Sequence, residues 1–221
     1  MTAKTISRRD FLKRSAAGAG AAALAATSTA CAASPDKTGK LEIETPSYQY
    51  GAGDTSSRIL VAYATRTGST VGVASAIGEV LAARGFAVDV KPIRDAPSLD
   101  GYQAVILGSA INGGRWLPEA TAYVQDHQQA LSALPVALFC VHIMNLGDDE
   151  KAEKNRRAYL NPIREMVQPI DEAYFAGMGM NPDEEPAIVR WFYRTFEIGG
   201  EGDCRDWEKI RSWAEGARVE K

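Results

Sequence analysis

Cysteine and histidine are scarce in this chain, with three of the first and two of the second among 221 residues. Cys31, Cys140 and Cys204 stand far apart and form no Cys-x-x-Cys pair. That spacing supports neither a zinc site nor a disulfide framework, and no metal is expected. With His127 and His142 as the only imidazoles, no residue offers itself as a general acid or base, so none is assigned a catalytic role. Long apolar runs are missing too. Residues 16–30 are too short, and too rich in Ala and Gly, to span a hydrocarbon core about 30 Å thick. Basic charge is wanting outside the first 32 residues. That stretch carries +4 of an overall −3, which leaves −7 on the rest. An acidic body repels phosphate backbones, so nucleic acid is excluded as a partner. No internal repeat is visible.

What is present is a globular composition, 45% apolar and 24% charged. The chain opens with a basic region, a short weakly apolar region and small residues before a cut site, the marks of a secretory signal. Ser7-Arg8-Arg9-Asp10-Phe11-Leu12-Lys13 resembles the twin-arginine consensus. The resemblance implies export of an already folded protein, to the periplasm or the outer face of the membrane. A protein that takes up a cofactor before export needs such a route. Two readings of the cut site stay open. Ser28-Thr29-Ala30-Cys31 resembles a lipobox with Ser in place of the usual Leu, which would put a lipid on Cys31. Ala30-Cys31-Ala32 also fits an Ala-x-Ala peptidase site. The signal is set at residues 1–32, and residues 33–56, with Pro35, Gly39, Pro46, Gly51 and Gly53, read as a flexible tether.

From residue 57 to 221 strands alternate with helices. Apolar runs at Arg58–Ala64, Ala87–Ile93, Ala104–Ser109, Val136–His142 and Glu172–Met178 predict five strands. Between them lie helical patterns at Thr70–Arg84, Leu117–Leu131 and about Ala152–Val167, with a closing helix at Asp206–Ala217. The first helix should bury Val71, Ala74, Ile77, Leu81 and Ala82 and end at Gly85. This order predicts an α/β fold, a doubly wound parallel sheet with helices on both faces. Residues 181–205 are too long for an ordinary connection and form an insertion, with Trp191, Phe192 and Phe196 near helical spacing.

The chemistry is expected in the loop after the first strand, Thr65-Arg66-Thr67-Gly68-Ser69-Thr70. A helix N-terminus offers unpaired N–H groups and positive potential, and Gly68 lets the backbone come close to a ligand. The hydroxyls at 65, 67, 69 and 70 add donors. No Lys follows the glycine and no Gly-x-Gly-x-x-Gly is present, which argues against a nucleoside triphosphate and for a single terminal phosphate. Thr-x-Thr-Gly-x-Thr behind an apolar strand resembles the phosphate loop of flavodoxins. That resemblance implies a flavodoxin-like five-stranded sheet in the order 2-1-3-4-5, with flavin mononucleotide (FMN) at the switch between strands one and three.

A second contact is expected after the third strand, at Ser109, Ala110, Ile111, Asn112 and Gly113, where small residues let main chain lie against a flat ring. Trp116 either stacks on that ring or packs on the sheet. The third contact is the loop opening at His142, which is either a ligand or a structural histidine. Gly108-Ser109-Ala110-Ile111, the insertion's Trp191-Phe192-Tyr193-Arg194-Thr195-Phe196 and Asp206-Trp207-Glu208-Lys209-Ile210 together resemble the flavodoxin-type, quinone-linked protoporphyrinogen dehydrogenase family. The resemblance implies an FMN-dependent oxidoreductase that passes electrons from a small-molecule reductant to a quinone. The export signal departs from that family, whose members act on the cytoplasmic side. The alternative is an electron carrier between redox partner proteins, which the acidic body would suit. Peripheral membrane contact would come through the insertion or a lipidated Cys31.

Overall fold

The computed structural model describes residues 43–52, 57–179, 187, 191 and 199–219. The twin-arginine stretch, Cys31 and most of the 181–205 insertion lie outside the described residues. Seven strands and six helices are seen among those described. They are β1 (Tyr48–Tyr50), β2 (Arg58–Ala64), α1 (Ser69–Ala83), β3 (Ala87–Pro92), β4 (Ala104–Asn112), β5 (Arg115–Trp116) and α2 (Pro118–Asp126). After these come α3 (Gln128–Ser132), β6 (Val136–His142), α4 (Glu150–Ala158), α5 (Asn161–Arg164), β7 (Asp171–Ala176) and α6 (Trp207–Gly216).

The five parallel strands lie in the order β3-β2-β4-β6-β7, the expected 2-1-3-4-5. Alternation along β2 shows why the sheet needs cover on both sides. Ile59, Val61 and Tyr63 enter one core with α1 and α6, while Leu60, Ala62 and Ala64 enter the other with α2 and α5. Helix α1 buries Val73, Ala74, Ile77 and Leu81. Val71 and Ala82, expected on that face, are only partly buried at its margin. Its end is a Schellman turn: Gly85 takes φ 100, its N–H donates to Ala82, and the N–H of Phe86 donates to Leu81.

Three expectations are corrected. Part of the presumed tether is structure, for β1 pairs antiparallel with β3 through Tyr48–Val90, Gln49–Asp89 and Tyr50–Val88. Asp89 fixes that edge: its buried carboxylate accepts from Gln49 Nε2 (2.8 Å), Arg58 Nη2 (2.6 Å) and Tyr102 Oη (2.5 Å). Burial alone would raise this carboxyl, but those donors and the charge of Lys91 outweigh it and hold it below its ordinary range. The expected helix 152–167 begins earlier, with Asp149 accepting from the N–H of Ala152, and breaks before α5. Pro162 has no N–H for the carbonyl four residues back. The expected helix 117–131 divides at His127, whose φ of −107° leaves the helical range.

Candidate functional site at the carboxyl edge of the sheet

Register brings the expected loops to one edge. Ala64 at the end of β2 lies beside Ser109 of β4, which lies beside Cys140 of β6, and His142 lies beside Ala176 of β7. Strand β4 continues three residues past its last pairing with β2, then folds back at Gly113 (φ 59) and Gly114 (φ 77) into β5. Both glycines sit in the left-handed region that a tight hairpin turn requires. At about 3.3 Å per residue, the hairpin overhangs the end of β2 by about 10 Å. It forms one wall of the site.

The floor is the loop from Thr65 to Thr70. Gly68 caps α1 at φ 86, and its N–H donates to Thr65 Oγ1 at 3.0 Å. No side chain caps the helix and its first turn holds no acidic residue, so its positive end is left to a ligand. Arg66 and Thr67 are exposed, Thr65 and Gly68 half-buried, and Ser69 and Thr70 buried. The Thr70 hydroxyl is buried without a hydrogen-bond partner. Leaving such a group unsatisfied costs about 1–3 kcal/mol.

Next to β4 at the same edge is the loop after β6, which is braced from α4. Arg156 Nη1 donates to the carbonyls of Asn145 (2.7 Å) and Gly147, and Asn145 takes φ 58. Asn145 also donates through Nδ2 to Tyr159 Oη (2.5 Å) and accepts from Asn155 Nδ2 (3.1 Å). His142 is almost fully buried, and its Nδ1 lies 2.7 Å from the carbonyl of Met144. A carbonyl can only accept, so the proton sits on Nδ1 and Nε2 presents a lone pair. Nε2 is buried and has no partner. Burial lowers the His142 pKa to about 4, helped by the nearby charges of Arg156 and Lys209 and opposed by the bond to Met144. The ring is therefore neutral at pH 7.

Two expected contacts face elsewhere. The Ser109 hydroxyl is fully buried, donating to Ala110 O (2.9 Å) and accepting from Leu117 N (3.0 Å), so it ties β4 to the start of α2. Trp116 packs in the core rather than on a ring, with 4% of its surface exposed and Nε1 3.2 Å from Cys140 Sγ. Pairing with Ile111 turns its side chain into the core beneath α2 and α5. Ala110 and Ile111 are half-buried, and Asn112 and Gly113 are exposed on the hairpin.

Sequence reasoning missed the brace of Tyr159, Asn155 and Arg156, and also the base of the insertion. Gly179 donates to Gly202 O (2.8 Å), Cys204 to Gly177 O (3.1 Å) and Gly200 to Ile143 O (2.9 Å). The return chain is thus pinned beside the β6 loop, where Ile143, Met144, Asn145, Leu146 and Gly199 line an open cavity of about 260 Å³. Arg205, paired with Asp203 (2.7 Å) and stacked 4.4 Å above Trp207, reaches the first turns of α1 beside Gly72. Met144, Leu146 and Trp191 are exposed. Among the described residues no group of His, Cys, Asp and Glu could hold a metal ion, and no helix is long and apolar enough to cross a membrane.

A phosphate fits the donor set of the α1 loop, because the orphaned Thr70 hydroxyl and the uncapped helix end both need an acceptor. Comparison with known proteins shows the family. Residues 60–180 match the flavodoxin domain family. A protoporphyrinogen IX dehydrogenase [quinone] of Leishmania major is 34% identical over 174 residues, covering 72% of this chain and 74% of the relative. Among solved structures, flavodoxin 1 of Bacillus cereus aligns at TM-score 0.46 and 16% identity, over 72% of this chain and 95% of that one. The rubredoxin oxygen:oxidoreductase of Desulfovibrio gigas aligns at TM-score 0.42 and 13% identity, over 74% of this chain and 35% of that one. The chain spans about a third of that oxidoreductase. By the family match and the Leishmania relative, the chain belongs to the flavodoxin domain family, a family of flavin redox proteins.

Proposed function

We propose that this is an exported FMN-dependent oxidoreductase that takes electrons from a small reduced substrate and delivers them to a quinone. One observation carries the reading. Among the described residues, the buried side-chain polar atoms without a partner are Thr45 Oγ1, Thr70 Oγ1 and His142 Nε2, and Thr70 and His142 stand at the carboxyl ends of β2 and β6. Buried polar groups are normally satisfied, so the unpartnered groups of Thr70 and His142 at one edge of the sheet support a ligand there that offers both an acceptor and a donor. Thr65, Thr67, Ser69 and Thr70, with the amides at the start of α1, would hold the phosphate. Ala110 to Gly113 on the hairpin and the braced β6 loop would flank the ring, and neutral His142 would accept a ring N–H.

When bound, FMN supplies reversible two-electron chemistry, and the chain supplies binding, orientation and exclusion of water. The Leishmania relative's name supports the quinone as acceptor. The exposed Met144, Leu146 and Trp191 suit contact with an apolar acceptor or a membrane surface.

The absorbance spectrum of the purified protein tests this reading. It should show bound flavin, bleach on reduction, and recover when a soluble quinone is added. A colourless protein that ignores added FMN overturns the proposal. Recovery only with a partner protein, never with quinone, would identify an electron carrier instead.

We further propose export by the twin-arginine route, with Cys31 as either the lipidated residue or part of the cleavage site. Arg8→Lys combined with Arg9→Lys should strand folded, flavin-loaded protein in the cytoplasm. Normal export of that double variant, seen by cell fractionation, refutes the route.

A further inference from the structure

We infer that residues 43–51 belong to the cofactor site and that the Thr45 hydroxyl binds the flavin phosphate alongside Thr70. The inference rests on the FMN reading and extends it to chain upstream of residues 60–180, where the family match lies.

This segment runs beside α1 from its first residue to beyond its last. Ile43 Cγ2 lies 3.7 Å from where a Cβ on Gly68 would stand, so the segment begins against the cap of the phosphate loop. Three residues on, the carbonyl of Pro46 accepts from Tyr63 Oη at 2.7 Å, two residues before Thr65. Tyr50 then packs its ring on Gly78 and shares a 2.6 Å hydrogen bond with Ser75. Gly51 passes so close to the carbonyl of Phe86 that a Cβ there would stand 2.3 Å from it.

Thr45 lies between Ile43, which meets the phosphate loop at Gly68, and Pro46, whose carbonyl meets the Tyr63 hydroxyl. Consecutive Cα atoms are about 3.8 Å apart, which keeps Thr45 within reach of that loop. Its hydroxyl is buried and unpartnered, as is that of Thr70. A buried hydroxyl with no acceptor is a desolvation cost that no bond offsets, and a valine would fill the same space without it. A phosphate at the start of α1 provides the acceptor that both threonines lack, through charge-assisted bonds. Gly68 supports this placement. It adopts φ 86, and among the described residues beyond its chain neighbours a Cβ there would meet Ile43, so the segment lies against one flank of the loop.

The test uses the full chain stripped of flavin and titrated with FMN and, separately, with riboflavin, which lacks the phosphate. Thr45→Val should weaken FMN binding about tenfold, as loss of one hydrogen bond to a charged group does. It should leave riboflavin binding unchanged, the pattern also expected of Thr70→Val. If Thr45→Val keeps the preference for FMN while Thr70→Val loses it, the inference falls and the FMN reading stands. Raised thermal stability of Thr45→Val with undiminished FMN affinity would likewise overturn it. If the wild-type chain binds neither flavin, both fall.

Discussion

Replacing Thr67 with Ala and Thr70 with Val together should weaken FMN binding by about 3 kcal/mol, roughly two orders of magnitude. Each hydrogen bond to a charged group is worth about 1.5–3 kcal/mol, and two bonds to one phosphate add incompletely. Thr67 is exposed, so its loss removes a donor without opening a cavity. Thr70 is fully buried and unpartnered, so Val fills its place and removes an unsatisfied hydroxyl. Thermal stability of the flavin-free double variant should therefore hold or rise. Calorimetric titration should show riboflavin affinity unaltered, because the phosphate is the only group affected. Equal affinity of variant and wild type for FMN would mean that the loop is merely a helix start.

A second large effect is expected from one methyl group in the sheet. Gly108 of β4 pairs directly with Phe139 of β6, and a Cβ at this position would stand 1.9–2.3 Å from the Phe139 ring. Phe139 is fully buried and packs against Phe175 with ring centroids 6.2 Å apart. The ring cannot swing away without displacing the core shared with α6. Gly108→Ala should cost about 3 kcal/mol of folding stability, at the upper end of typical overpacking penalties. Urea denaturation would measure it, and a midpoint equal to wild type would show that the ring relaxes. Gly113→Ala, one turn beyond in open space, should disturb the hairpin through its φ of 59 rather than through contact.

The sequence made the five parallel strands legible because each is an apolar run closed by turn residues, while their order was implied by the flavodoxin resemblance. The start of the first helix was legible because helix-start chemistry is local, contained in six consecutive residues. Trp116 illustrates what was not local. Whether an aromatic two residues beyond a glycine turn faces a ligand or the core depends on β5 pairing with β4, and a two-residue strand leaves no periodicity to read. Ser109 went the same way, its hydroxyl being claimed by Leu117 eight residues on. The Arg156 brace depends on α4 lying across the β6 loop, a tertiary fact. Strand β1 escaped notice because three residues flanked by Pro46 and Gly51 resemble a linker in composition. The Asp89 cluster, the partner strand β3 and the contacts of Tyr50 with α1 give it a place.

The way the chain enters the domain sets its orientation. Ile43 meets the protein at Gly68, on the side where the flavin is proposed to sit. The described chain therefore enters the domain at the edge proposed for the cofactor, and not at the opposite end of the strands.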